Sequence, residues 1–178
     1  MTITMTYSLR KFALTVHLTS SVGWIGAVVA YPALDITAVT SQDVQLVRAA
    51  YLAMELTALY VIVPLAFAAL LTGLVMSVST KWGLFRHYWV VITLVLTIFS
   101  TVVLLLETQT ISYLAELAAS GVDPRELPGT LPHSGGGLLM LLVITVLNVY
   151  KPRGMTQYGW RKQQQHRKES SAVDAGLT

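Results

Sequence analysis

Apolar positions along the chain gather into four long blocks, at Phe12–Leu34, Leu56–Val78, Tyr88–Leu106 and, with the glycines before it, Leu138–Tyr150. Most approach the roughly 20 residues that carry a helix across the hydrocarbon core of a bilayer. With their flanking signals they predict an all-α, polytopic membrane protein: a bundle of four transmembrane helices over about 11–36, 41–78, 86–110 and 133–150. Arg10 and Lys11 ahead of the first block imitate a secretory signal, but the apolar run exceeds the about 7–15 residues of a signal's core. It reads as an uncleaved first helix.

The connections carry their own signals. Thr40-Ser41-Gln42-Asp43 resembles a helix start, with an acceptor side chain at the cap and an acid in the first turn. A continuous helix from there to Val78 would rise roughly 55 Å, so its first turns project beyond the bilayer. Pro64 lies inside it and removes a backbone donor, which predicts a kink there. Between Ser112 and Pro132, Leu114, Leu117 and Ala118 recur at helical spacing before Gly121 and Asp123-Pro124. One short interfacial helix is expected in that segment.

Polar and small residues form a stripe on each helix. His17, Ser21, Trp24, Val28, Tyr31 and Asp35 alternate at spacings of four and three on the first, which places them on one face. Thr93, Thr97, Ser100, Leu104 and Glu107 do so on the third, Glu55, Ala58, Ala66, Ala69 and Gly73 on the second, and His133, Gly137, Met140 and Ile144 on the fourth. Such faces point at protein, with hydroxyls bonding across the gap between helices. The Gly135-Gly136-Gly137 run lacks the lysine and the strand of a phosphate loop and reads as close helix packing.

Composition sharpens this picture. Apolar residues make up 54% of the chain and charged residues only 12%, outside the range of ordinary soluble domains. There is no cysteine, so any metal must be held by His, Asp, Glu or Met, and disulfides and thiolate chemistry are excluded. Ten basic residues flank one side of the helices: Arg10, Lys11, Lys81, Arg86, Lys151, Arg153 and four in the tail. Only Arg48 and Arg125 fall on the other, so the positive-inside rule assigns both termini to the cytoplasm. Trp82, Tyr88 and Trp89 then form an aromatic belt at the cytoplasmic interface. The tail, 151–178, is basic and poor in large aliphatics, and disorder is expected there, in contact with anionic lipid. Since topology explains the basic residues, nucleic acid is not an expected partner.

Candidate chemistry falls in two layers. Asp35, Glu55, Glu107 and His133 lie near the outer ends of the helices, one from each, and Tyr31 sits a turn below Asp35. Asp35 and Glu107 are near helix C-termini, where the backbone dipole disfavours a carboxylate. A cationic partner would relieve them, whether His133, Arg48 or a divalent metal, making an ion or shared-proton cluster. Solvation of helix ends accounts for such residues equally well. In the opposite layer are His17, inside the first helix, and His87, at the start of the third, placed to face a haem or each other. A histidine in a bundle also commonly bonds a nearby Ser or Thr, and Ser20 and Ser21 are within reach of His17. No serine has a histidine and a carboxylate at its own depth, which disfavours a nucleophilic triad.

The segments His17-Leu-Thr-Ser-Ser-Val-Gly-Trp24-Ile-Gly26, Trp82-Gly-Leu-Phe-Arg-His-Tyr-Trp89, and His133-Ser-Gly-Gly-Gly137 with its Val-Tyr-Lys-Pro-Arg153-Gly ending resemble a group of small uncharacterised bacterial integral membrane proteins. This resemblance covers most of the chain and implies the bacterial cytoplasmic membrane. The His followed by a Trp-x-Gly step is also similar, over about one helix, to the copper-resistance D-like superfamily, which includes membrane protoporphyrinogen oxidases that use a haem. That resemblance implies haem b or a divalent metal at His17. Two readings follow: a non-enzymatic accessory, assembly or structural component of the membrane, and a haem- or metal-binding redox protein using His17. The expected partners are the lipid bilayer and either a second copy of the chain or another membrane protein.

Overall fold

The computed structural model describes residues 5–79 and 84–176, which leaves Lys81 and Trp82 outside the described residues. Helix α1 (Tyr7–Thr40) is followed by α2 (Val44–Thr57), which passes through a π-helical turn, Ala58–Ile62, into α3 (Val63–Ser79). Then come α4 (Tyr88–Ala119), α5 (Leu131–Tyr150) and α6 (Gln157–Gly176). Four of these rods are long and apolar enough to cross a membrane: Tyr7–Thr40, Val44–Ser79, Tyr88–Ala119 and Leu131–Tyr150. The fold is the expected all-α bundle of four such helices. The first packs on the second and the fourth, and the third closes the ring by packing on the same two.

The second rod starts where its sequence signal lies. Asp43 is the cap, its carboxylate accepting the backbone N–H of Gln45 and Leu46, while Ser41 Oγ accepts the N–H of Asp43. The irregularity expected at Pro64 occurs a turn earlier. In the π turn the N–H of Val63 donates to Ala58 O, five residues back. A proline ring crowds the carbonyl four residues before it, here that of Tyr60, and widening the preceding turn relieves the conflict.

Elsewhere the structure corrects expectation. The third rod does not stop near 110 but runs to Ala119, so no separate interfacial helix forms at Leu114–Ala118. Those residues stay helical because their apolar face is covered by the protruding start of the second rod. Val47, Ala50, Tyr51 and Met54 pack there against Ile111, Leu114, Ala118 and Ala38. This cap lies where the charge pattern places water, and its burial follows the hydrophobic effect that lipid does not supply. Arg48 joins it: its guanidinium Nε donates to Ala118 O at 2.7 Å, closing the carbonyl end of α4, and pairs with no carboxylate among the described residues.

The tail is not disordered over its described length. Thr156 caps α6, its Oγ accepting from Gly159 N–H, and its own N–H and hydroxyl donate to the carbonyls of Arg86 and Phe85. The backbone of His87 pairs with Met155. Gln, Arg, Lys and Ala, which favour helix, then continue the element without any core. On the same side Tyr88 is exposed as a belt residue should be, but Trp89 is buried in the bundle.

Candidate functional site

The inward stripes of the first two rods follow the spacing, with Trp24, Val28 and Asp35 on the first and Ala58, Ala66 and Ala69 on the second buried, whereas on the third Thr93 is buried, Thr97, Ser100, Leu104 and Glu107 are half-buried, and Thr101, outside the expected stripe, is buried. Their hydroxyls, however, do not bridge helices. Thr93, Thr97, Thr101 and Thr108 each donate to a carbonyl three or four residues back on α4. A hydroxyl in lipid needs an acceptor, and its own helix always offers one. The fourth rod departs further. Its buried line is Leu141 and Ile144, while His133 and Gly137 are exposed. A Cβ added at Gly135, Gly136 or Gly137 would meet nothing within 4 Å, so the glycine run is not a close packing seam.

Two of those glycines, Gly136 and Gly137, border a cavity of about 350 Å³ among the rods. Trp24, Val28 and Tyr31 of α1 line one wall, and Ala58 and Ile62 of the π turn another. Phe99, Val103 and Leu104 of α4 face Gly136, Gly137, Met140 and Leu141 of α5. At the end assigned to the outside, the walls turn polar with Glu107, Thr130, His133 and Ser134.

Three of the four expected outer residues gather at that end. Asp35 is fully buried and accepts four hydrogen bonds: from Thr130 N–H at 2.9 Å, from Thr130 Oγ at 2.9 Å to each of its oxygens, and from Ser134 Oγ at 2.7 Å. It thus occupies the positive N-terminal end of α5, and its unfavourable position on α1 is answered by that helix's donors. Glu107 Oε1 lies 3.4 Å from His133 Nε2, as expected of a carboxylate needing a cationic partner. Tyr31 is near enough to feel the charges of both Asp35 and Glu107. Glu55 stands apart, half-buried, with no hydrogen bond or ion pair among the described residues. Nor do the described residues include a group of three or more His, Asp or Glu side chains able to hold a metal ion. The carboxylates are held by hydroxyl and amide donors and by one imidazole.

In the other layer His17 Nδ1 bonds Thr72 Oγ at 3.0 Å, so its partner is a threonine of the second rod and not Ser20 or Ser21. Thr72 itself donates to Ala68 O, which assigns the donor role to the imidazole. A Cβ at Gly73 would come within 3.1 Å of the His17 ring, so the imidazole is laid directly on α3 backbone. The cavity walls do not include His17. This arrangement does not suit a haem, which needs open space beside its axial ligand; His17 is instead an interhelical clasp. His87 caps the start of α4 with extended backbone rather than facing His17.

Beyond the bundle, Arg125 grips Asp123 through Nε and Nη2, and this hydrogen-bonded pairing pulls the Asp123 carboxyl down to about 2. Both side chains are partly exposed to solvent, so the pair shapes the loop more than it stabilises the fold.

What sequence reasoning missed is the cavity and the role of Thr130 and Ser134. The signal available was the position of Thr130 and Ser134 at the start of a helix facing a lone buried acid. No family model matches the chain, no curated protein matches it, and no solved structure matches it.

Proposed function

We propose that the protein is a non-enzymatic multi-pass component of the bacterial cytoplasmic membrane whose bundle holds a small, mainly apolar molecule. The observation that carries this reading is the cavity lined by all four rods. Its volume lies in the roughly 300–1,000 Å³ range of small-molecule sites, and apolar walls with a few polar groups at one end are the usual composition of such sites. The π turn that shapes one wall is of a kind that recurs at functional sites. The ten-to-two division of basic residues supports termini in the cytoplasm, with the polar end of the cavity facing outward.

Photolabelling with trifluoromethyl-phenyldiazirine, a neutral apolar probe, tests this in the intact chain. Labels should appear on Phe99, Val103 or Met140. Gly137→Leu, which fills the cavity without meeting a neighbour, should remove them. Gly135→Leu, two residues away and outside the lining, should leave them in place. Identical labelling of these residues in all three proteins would defeat the reading.

A further inference from the structure

We infer that the molecule held in this cavity is a lipophilic cation, an apolar body with one positive charge lodged beside Glu107. The inference rests on the ligand-holding reading above and adds the sign of the charge.

Among the described residues lining the cavity Glu107 is the one acid and His133 the one base, and a second carboxylate, Asp35, lies behind Thr130 and Ser134 at the same end. Neither nearby arginine supplies a counter-charge, since Arg48 is turned to Ala118 O and Arg125 to Asp123. The positive end of α5, which would otherwise welcome an anion, is already taken by Asp35. That carboxylate is saturated with donors and buried, so Glu107 is the acid left to meet a ligand.

Glu107 is loosely held. Its contact with His133 is 3.4 Å long, beyond the usual 2.7–3.2 Å of an N–H to oxygen bond, and the two side chains are 29% and 59% exposed. His133 lies in the first turn of α5 with space around it, so it can swing outward while a cation takes its place. Below Glu107 the rings of Trp24, Tyr31 and Phe99 line the walls. Aromatic faces attract an organic cation, and more strongly once water is excluded. An anion in the same place would meet an uncompensated carboxylate in a poorly screened medium.

The test uses two ions of one shape and opposite charge, tetraphenylphosphonium and tetraphenylborate, with the full chain in nanodiscs of zwitterionic lipid. Binding is read as the saturable part above empty discs. Tetraphenylphosphonium should saturate and tetraphenylborate should not. Glu107→Gln, which keeps the shape, should weaken tetraphenylphosphonium at least tenfold while the thermal midpoint stays near that of the wild type. Gly137→Leu should abolish binding, and Gly135→Leu should leave it. Equal saturable binding of both ions, lost in Gly137→Leu but indifferent to Glu107→Gln, would overturn the cation and leave the cavity reading standing. No saturable binding of tetraphenylphosphonium, or binding that survives Gly137→Leu, would overturn the inference as well. Failure of the cavity reading itself shows separately, in the neutral photolabel.

Discussion

A buried carboxylate is tolerated only where donors replace the water it has lost, and Asp35 has three such groups from the start of α5. It ties the outer end of the first rod to the first turn of the fourth and so fixes the polar end of the cavity. Asp35→Ala strands the Thr130 amide and two hydroxyls, each costing about 1–3 kcal/mol if left without an acceptor. Expected is a loss of roughly 3 kcal/mol in unfolding titrated with denaturing detergent, with Asp35→Asn losing less because its amide oxygen still accepts. An alanine variant as stable as the wild type would mean the donors find other partners and the tie is dispensable. His17 does similar work at lower stakes. Its bond to Thr72 is of the kind worth about 0.6 kcal/mol between membrane helices.

Among the elements, α6 depends on one close approach. A Cβ at Gly159 would lie 2.5 Å from Arg86 O, so the helix start can sit on the preceding loop only with glycine there. Gly159→Val should release it, and trypsin should then cut at Arg161 and Lys162 several-fold faster than in the wild type, with the bundle left intact. Unchanged cleavage would show that the bonds of Thr156 alone hold the helix. Gly129, whose added Cβ would collide with Val39 Cγ1, marks a second close approach, where the loop before α5 passes the end of α1. Pro128-Gly129 signals a turn and Gly159 nothing, but neither position reveals a close approach to sequence reading, because the constraint comes from a distant segment of chain. Pro64 was legible as a disturbance, but the π turn that absorbs it depends on the neighbouring rods and the cavity beside them.

For the whole molecule, the rods are unequal. Tyr7–Thr40, Val44–Ser79 and Tyr88–Ala119, with 34, 36 and 32 residues, rise about 51, 54 and 48 Å, whereas Leu131–Tyr150, with 20, rises about 30 Å and only just spans a hydrocarbon core. The excess of the three long rods forms the apolar cap on the side that carries only Arg48 and Arg125. Reporter fusions at Thr178 should therefore read cytoplasm, and insertions at Gln42 or Asp123 should read outside. An outside signal from Thr178 would invert the bundle and turn the cap and the polar end of the cavity inward.

The sequence by itself determined the four rods, because runs of apolar residues near 20 long have few stable alternatives in lipid, and it indicated much of the inward stripes of the first two, because helical period is local. It also placed Asp35, Glu55, Glu107 and His133 at matching depths, near one end of the bundle. Only the tertiary structure decided what each then meets. Asp35 is satisfied by Thr130 and Ser134, some 95 residues on, and Glu55 is left out because helix rotation, not depth, selects partners. The same holds for the glycine run, which reads as a packing seam from its composition. Whether Gly135-Gly136-Gly137 meets a helix or borders a cavity depends on how α5 is turned against α1 and α4, and that rotation is fixed by Leu141, Ile144 and the Asp35 tie together.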